Sequence, residues 1–205
     1  TDAVFQIYGA RVVSWRGAFG IHTWIAARKK NSQDYHVYHL DYPSNPQPNQ
    51  QTFISSLVRV PDFYWWGTKP FLIASITGAA ASLASSRLDG LVADYPYKNV
   101  YDAVPGPNSN TFTAYVIKNT PEIQVALPPA AIGKDYPVFN QLWYETPSRP
   151  GHTPSWKGVI GLTISRYEGF YINILGLPLG IDFRRKTIVL PGLVGAWTSE
   201  NGKNG

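Results

Sequence analysis

Three stretches, VFQIYGARVVSW (4–15), GIHTWIAAR (20–28) and DYHVYHLDY (34–42), follow one another with only short joints between them. Aromatic and β-branched residues dominate all three, the composition of strands rather than helices. The glycines of WRGAFG (15–20) supply a turn between the first two, so the chain is expected to open with consecutive strands of an antiparallel sheet.

Working outward, a Pro/Asn/Gln-rich loop, PSNPQPNQQ (43–51), separates these from TFISSLVRV (52–60), an aromatic turn PDFYWWGTKP (61–70) and a short apolar strand FLIASI (71–76). From Gly78 the pattern changes. AAASLASSRLDGLVADY (79–95) carries Leu83, Leu88, Leu91 and Val92 near helical spacing, which predicts one amphipathic helix. NSNTFTAYVIKN (108–119) predicts a second, starting after Pro107 with Asn108 as its N-cap. PPAAIGKDYP (128–137) and ETPSRPGHTPS (145–155) read as loops. KGVIGLTISRY (157–167) and GFYINILGL (169–177) read as a hairpin around Glu168-Gly169, and KTIVLPG (186–192) as a final strand. The long apolar run LTISRYEGFYINILGLPLG (162–180) is read as alternating core strands in preference to a lipid contact. The sum is an α+β fold: a single domain over 1–198 with an antiparallel, barrel-like sheet core and two or three helices, and a polar tail SENGKNG at 199–205.

The 205 residues, 44% hydrophobic and 15% charged, exclude a disordered chain and a charged coiled coil, and a chain this long buries about 70% of its unfolded surface. Cysteine is absent, which excludes disulfides, thiolate metal sites and a thiol nucleophile. Methionine is absent even from position 1, so a processed or trimmed form is expected. Lys and Arg interrupt each hydrophobic stretch short of membrane-spanning length, leaving a soluble or peripherally membrane-associated protein. The net charge of +5 resides partly in Arg28-Lys29-Lys30 and Arg184-Arg185-Lys186, both read as solvated turns, so no nucleic-acid partner is expected.

Chemistry has few carriers. Of His22, His36, His39 and His152, none shows metal-ligand spacing, and neither metal nor cofactor is expected. His36 and His39 lie on one strand and face opposite ways, so only one can share a face with His22, and His39 is the choice. His152 reads as an exposed loop residue. Ser109 falls in the first turn of the second helix, where free N–H groups and the positive helix end favour developing negative charge. A serine nucleophile needs a base, and His22 is the candidate, with His39 holding its imidazole.

Several strings carry a resemblance. WRGAFGIHTW (15–24), YPYKNVYDAVPGPNSNTFTAY (95–115) and AIGKDYP (131–137), continuing through GLPLGIDF (176–183) and LPG (190–192), resemble a bacterial domain family of unknown function found in envelope-associated proteins. More distantly, NSNTFTA (108–114) is similar to the NCNTW-type helix start of circularly permuted papain-like proteins of the NlpC type, in which the histidine strand precedes the nucleophile helix. That resemblance implies a papain-like fold. It also places Ser109 at the position of the catalytic cysteine, His22 at the general base and His39 at the orienting residue. Serine replaces cysteine here, and its hydroxyl ionises far less readily than a thiol. Asn108 and Asn110 flank the nucleophile position as caps or oxyanion donors, and Tyr8, Trp15, Arg16, Trp66 and Tyr101 are expected to line or brace a substrate cleft. Lys134 and Asp135 are left between a site-adjacent ion pair and an idle surface position.

The function expected is a serine hydrolase or acyltransferase acting on an amide or ester of a cell-wall peptide, glycopeptide or lipid-like substrate in the periplasm of the bacterial envelope. The alternative is an inactive binding or scaffold domain, favoured by serine in place of cysteine.

Overall fold

A computed structural model describes residues 1–41, 53–137, 143–146, 151–156, 159–166, 168–183 and 186–191. The loop expected over 43–51, the tail expected over 199–205, and Arg184 and Arg185 lie outside the described residues.

The opening strands form as β1 (Val4–Arg11), β2 (Ile21–Arg28) and β3 (Tyr35–Asp41). With β4 (Phe53–Val58) and β5 (Phe71–Thr77) they build an antiparallel sheet ordered β4-β3-β2-β1-β5. Pairing β1 with β2 in the register Ile7↔Ile25 and Tyr8↔Trp24 sends alternate residues to opposite faces. One face carries Phe5, Ile7, Ile21, Ile25, Tyr38 and Leu40 into the main core. The other carries Tyr8, Ala10, Trp24, Ala26 and Val37, covered by Phe63 and Trp65 of the aromatic turn.

Both expected helices are present. α1 (Gly78–Asp94) buries Ala81, Ala84 and Leu88, spaced three and four apart, while Leu83 points out at 53% exposure. Leu88, Leu91 and Val92 of the expected stripe pack on the core together with these small alanines, and Leu83 is the one member that points away. The Tyr38 hydroxyl donates to Asp89 at 2.9 Å, fixing α1 to β3. α2 (Ser109–Lys118) is buried from Ser109 through Ile117. Its Phe112, Val116 and Ile117 fill the core beside Tyr95, whose ring meets Phe112 edge-on.

The fold class departs from the expected α+β, papain-like, barrel-like arrangement. The described chain is mostly β, with two antiparallel sheets and only two α-helices, and each sheet runs from one edge strand to another. The second sheet is ordered β11-β10-β9-β8-β7-β6 and comprises β6 (Trp143–Glu145), β7 (Gly151–Trp156), β8 (Ile160–Ser165), β9 (Gly169–Ile174), β10 (Leu177–Asp182) and β11 (Thr187–Val189). β7 and β10 are the strands that sequence patterning hides: GHTPSW and LPLGID carry the Pro and Gly that normally demote a strand. His152 therefore sits on a strand, not in a loop, although it is exposed.

The second sheet also inverts the expected alternation. Its buried face is polar, with Thr153, Thr163 and Asp182 at 0% exposure and Ser155, Ser165 and Asn173 close behind. Among the described residues, no helix is long and apolar enough to cross a membrane.

Candidate functional site

His22 and His39 lie on the aromatic face of the first sheet, on neighbouring strands that pair only from Ile25↔Tyr38 toward Arg28↔Tyr35. Where the two strands part, the side chains meet. His22 Nε2 and His39 Nε2 share a short hydrogen bond, and the rings cross edge to face with centroids 4.6 Å apart. Trp65 stacks flat on His22 at 4.2 Å, and Phe63 packs beside His39 and Trp24. The Trp24 indole donates to the Pro61 carbonyl at 2.9 Å, tying the aromatic turn over the pair.

Burial holds both rings neutral. Desolvation lowers the His22 pKa well below the usual imidazole value, and His39 adds to the effect. Desolvation, with the Arg59 guanidinium nearby, pushes His39 down to about 4. Asp41 lies on the same face two residues on, its Oδ2 3.8 Å from His39 Nε2 and accepting from the Trp65 indole at 3.4 Å. His36 faces the other way, in register with Ala27.

Ser109 opens α2. The Asn108 side chain accepts from the Asn110 and Thr111 N–H groups, while Thr111 Oγ1 accepts from the Asn108 N–H, a complete capping box. Asn108 also donates to the carbonyls of Ala103 and Ile132, and Asn110 to those of Ile21 and Ile132. Thr23, next to His22 but on the opposite face, donates to Asn110 at 2.9 Å. Both asparagines are thus spent on positioning α2 against β2, and the Ser109 hydroxyl is not needed as the cap.

That hydroxyl shares a hydrogen bond with Tyr101, whose own pKa is pushed up to about 12 by burial and by Asp41, the Ser109 bond opposing. Ser109 is 2% exposed. Among the described residues, Ser109 and His22 share no hydrogen bond, and His22 Nδ1 has no partner. Tyr101 instead lies between Ser109 and the Asp41–His39 side of the sheet.

The remaining expected cleft residues scatter. Tyr8 is buried against Trp24, ring centroids 5.9 Å apart, and bonds Gln6. Trp15 is 72% exposed, with Arg16 over its ring and Phe19 at its edge. Trp66 is exposed in the turn whose other tryptophan, Trp65, covers His22. Lys134 and Asp135 are buried in an ion-pair cluster with Glu168 of the β8–β9 turn. Asp41 and Trp65 escaped sequence reasoning. The His39-x-Asp41 alternation was the available signal for the first, since residues two apart on a strand share a face. Among the described residues, no group of three or more His, Asp or Glu is placed to hold a metal ion.

A mostly β chain with a buried histidine pair beside a capped serine helix is the class that fold and site define. The chain belongs to the family described as protein of unknown function (DUF3750), whose model matches residues 2–136. The matched span holds the first sheet, both helices and the GKDY loop, and ends before the second sheet. Searches of the curated proteins and of the solved structures gave no match.

Proposed function

We propose that the protein is a serine hydrolase or acyltransferase in which Ser109 is the nucleophile, His22 the general base and His39 the orienting residue. The observation that carries this reading is the His22–His39 bond through the Nε2 atoms, which leaves His22 Nδ1 unpartnered among the described residues. When His22 donates from Nε2 to His39, Nδ1 keeps its lone pair for a proton. Both imidazoles stay neutral at pH 7, as a base must. The NlpC-type helix start NSNT and the order His22 before Ser109 add to this reading, which needs no papain-like fold.

The step proceeds as follows. Ser109 Oγ bonds to the carbonyl carbon of an amide or ester while its proton passes through a bridging water to His22 Nδ1, with which the serine makes no direct hydrogen bond. The oxyanion so formed takes hydrogen bonds from the Tyr101 phenol, which keeps its proton at neutral pH, and from the Ser109 N–H, the first-turn amide that the Asn108 side chain leaves unbound. Collapse breaks the C–N or C–O bond, and the leaving group departs with the proton from His22. Water or an acceptor hydroxyl or amine then takes the acyl group from Ser109, returning its proton through His22. Cell-wall peptide, lipid and acyl-protein carbonyls are the substrate classes, and an envelope setting goes with them.

A second reading is a binding or scaffold domain without chemistry. The observation favouring it is the burial of Ser109 with its hydroxyl committed to Tyr101.

Labelling with a fluorophosphonate probe separates the two. An enzyme reacts covalently in the wild type and loses labelling in Ser109→Ala and His22→Ala, and Tyr101→Phe frees the hydroxyl but weakens the oxyanion contact. Absence of labelling in the wild type and in Tyr101→Phe favours the binding reading.

A further inference from the structure

The outer face of the second sheet is apolar and unassigned. Cross-strand registers set Ile160 against Ile174, Ile164 against Phe170, and Ile181 against both Phe170 and Ile188, so apolar side chains meet in rows across β8 to β11. These side chains stand in water: Ile164 is 54%, Ile174 54% and Ile188 70% exposed. At the β6–β7 side the rows end in Trp143 and Trp156, 61% and 58% exposed. A contiguous apolar face of this kind marks a contact surface, because soluble monomers rarely leave one uncovered.

The charges decide what covers it. Residues 143–190 contain six Lys or Arg and three Asp or Glu. Glu168 and Asp182, two of the three acids, are buried on the inner side at 2% and 0% exposure. Arg166 and Lys186 are exposed in the β8–β9 and β10–β11 turns, which antiparallel order brings to the same end of the sheet. A second copy of this chain offers them little opposite charge, whereas an anionic bilayer offers a continuous negative surface next to an apolar interior.

We propose that the outer face of the second sheet is a docking surface for an anionic lipid bilayer, with the Ile, Leu and Phe rows entering the acyl boundary, Trp143 and Trp156 at the headgroup level, and Arg166 and Lys186 against the phosphates. Aromatic residues beside an apolar patch with a basic margin are the pattern of interfacial binding. The surface is independent of Ser109 and His22, which lie in the first sheet and its helix, so the proposal stands whether or not the chain is an enzyme.

Co-sedimentation of the full chain with phosphatidylglycerol/phosphatidylcholine vesicles tests it, with light scattering to report mass and circular dichroism to report folding. Binding to these vesicles and weaker binding to pure phosphatidylcholine is expected. Ile164→Asp/Ile172→Asp lowers the partition coefficient by at least about tenfold with unchanged circular dichroism, since two exposed side chains assigned to the acyl boundary are replaced by charges. Arg166→Glu/Lys186→Glu, which leaves the apolar rows intact, lowers it severalfold and removes its salt dependence. Pelleting that is no greater with anionic vesicles than without overturns the proposal, as does equal binding by both variants. A wild-type dimer that the Asp pair dissociates also overturns it, assigning the face to a second copy.

Discussion

His22 and His39 are held neutral by their surroundings, and that has a measurable consequence for stability. An imidazole whose folded pKa lies below its unfolded value takes up its proton only on unfolding, so the unfolded state binds more protons as pH falls below 6.5. For His39 the window runs from 6.5 down to about 4, because burial and then the Arg59 guanidinium oppose the charge. Stability is therefore expected to be full above pH 6.5 and to fall by roughly 3 kcal/mol across that window on account of His39 alone. Urea unfolding at stepped pH checks this: His39→Gln, which cannot titrate, should flatten the acid limb relative to wild type. An unchanged slope would mean that His39 is solvated in the folded protein. The same neutrality makes His22 suitable as a base, so labelling by the fluorophosphonate probe should persist down to pH 6 and disappear in His22→Ala.

Helix α2 depends on Asn108 more than on its own propensity. A cap of this kind contributes about 1 kcal/mol, and Asn108 also satisfies the Ala103 and Ile132 carbonyls from inside the protein. Asn108→Ala is expected to cost about 3 kcal/mol in urea unfolding, whereas Asn108→Asp keeps the cap and loses only the two donated bonds. Gly133 is the matching constraint on the facing loop. Its φ is +94°, and a Cβ there would sit 2.5 Å from Asn108 Nδ2, against the side chain that caps α2. Gly133→Ala should therefore destabilise by an amount comparable to Asn108→Ala, and the double variant should cost less than the sum because both disturb one contact. Additive costs would show that the loop and the cap act separately.

Buried charge joins the GKDY loop to the second sheet. Lys134 Nζ donates to both Asp135 oxygens at 2.7 Å and to Glu168 Oε2 at 3.1 Å, and Asn173 of β9 donates to Asp135 at 3.3 Å. Burial works against the ammonium, but the two carboxylates outweigh it and hold the Lys134 pKa above the usual lysine range. For Asp135, burial and Glu168 raise the pKa against the pull of Lys134. Removing one partner of such a cluster leaves an uncompensated charge, at a cost of about 3–5 kcal/mol. Lys134→Met should cost that much, and adding Asp135→Asn and Glu168→Gln should restore a large part of it. The family match ends at residue 136, just after this pair, so the clamp joins the matched region to the sheet beyond it. Limited proteolysis of Lys134→Met is expected to cut first between the two sheets, and protection equal to wild type would show that other contacts hold them.

Period-two runs of aromatic and β-branched residues determined β1, β2, β3, β5 and the β8–β9 hairpin, and Pro107 with Asn108 determined the start of α2, because each signal is local. The histidine strand, the serine helix and the buried Lys134-Asp135 string were legible as residues, but not their partners. Only the tertiary structure decided that Tyr101 holds Ser109, since an irregular connector with no period links them, and that Glu168 completes the ion cluster, since it lies 34 residues from Lys134. It also decided the second sheet. Alternation in LTISRYEGFYINILGLPLG specifies two faces but not which is buried, and the buried charge of Lys134 and Asp135 draws the polar face inward, leaving the apolar one outside.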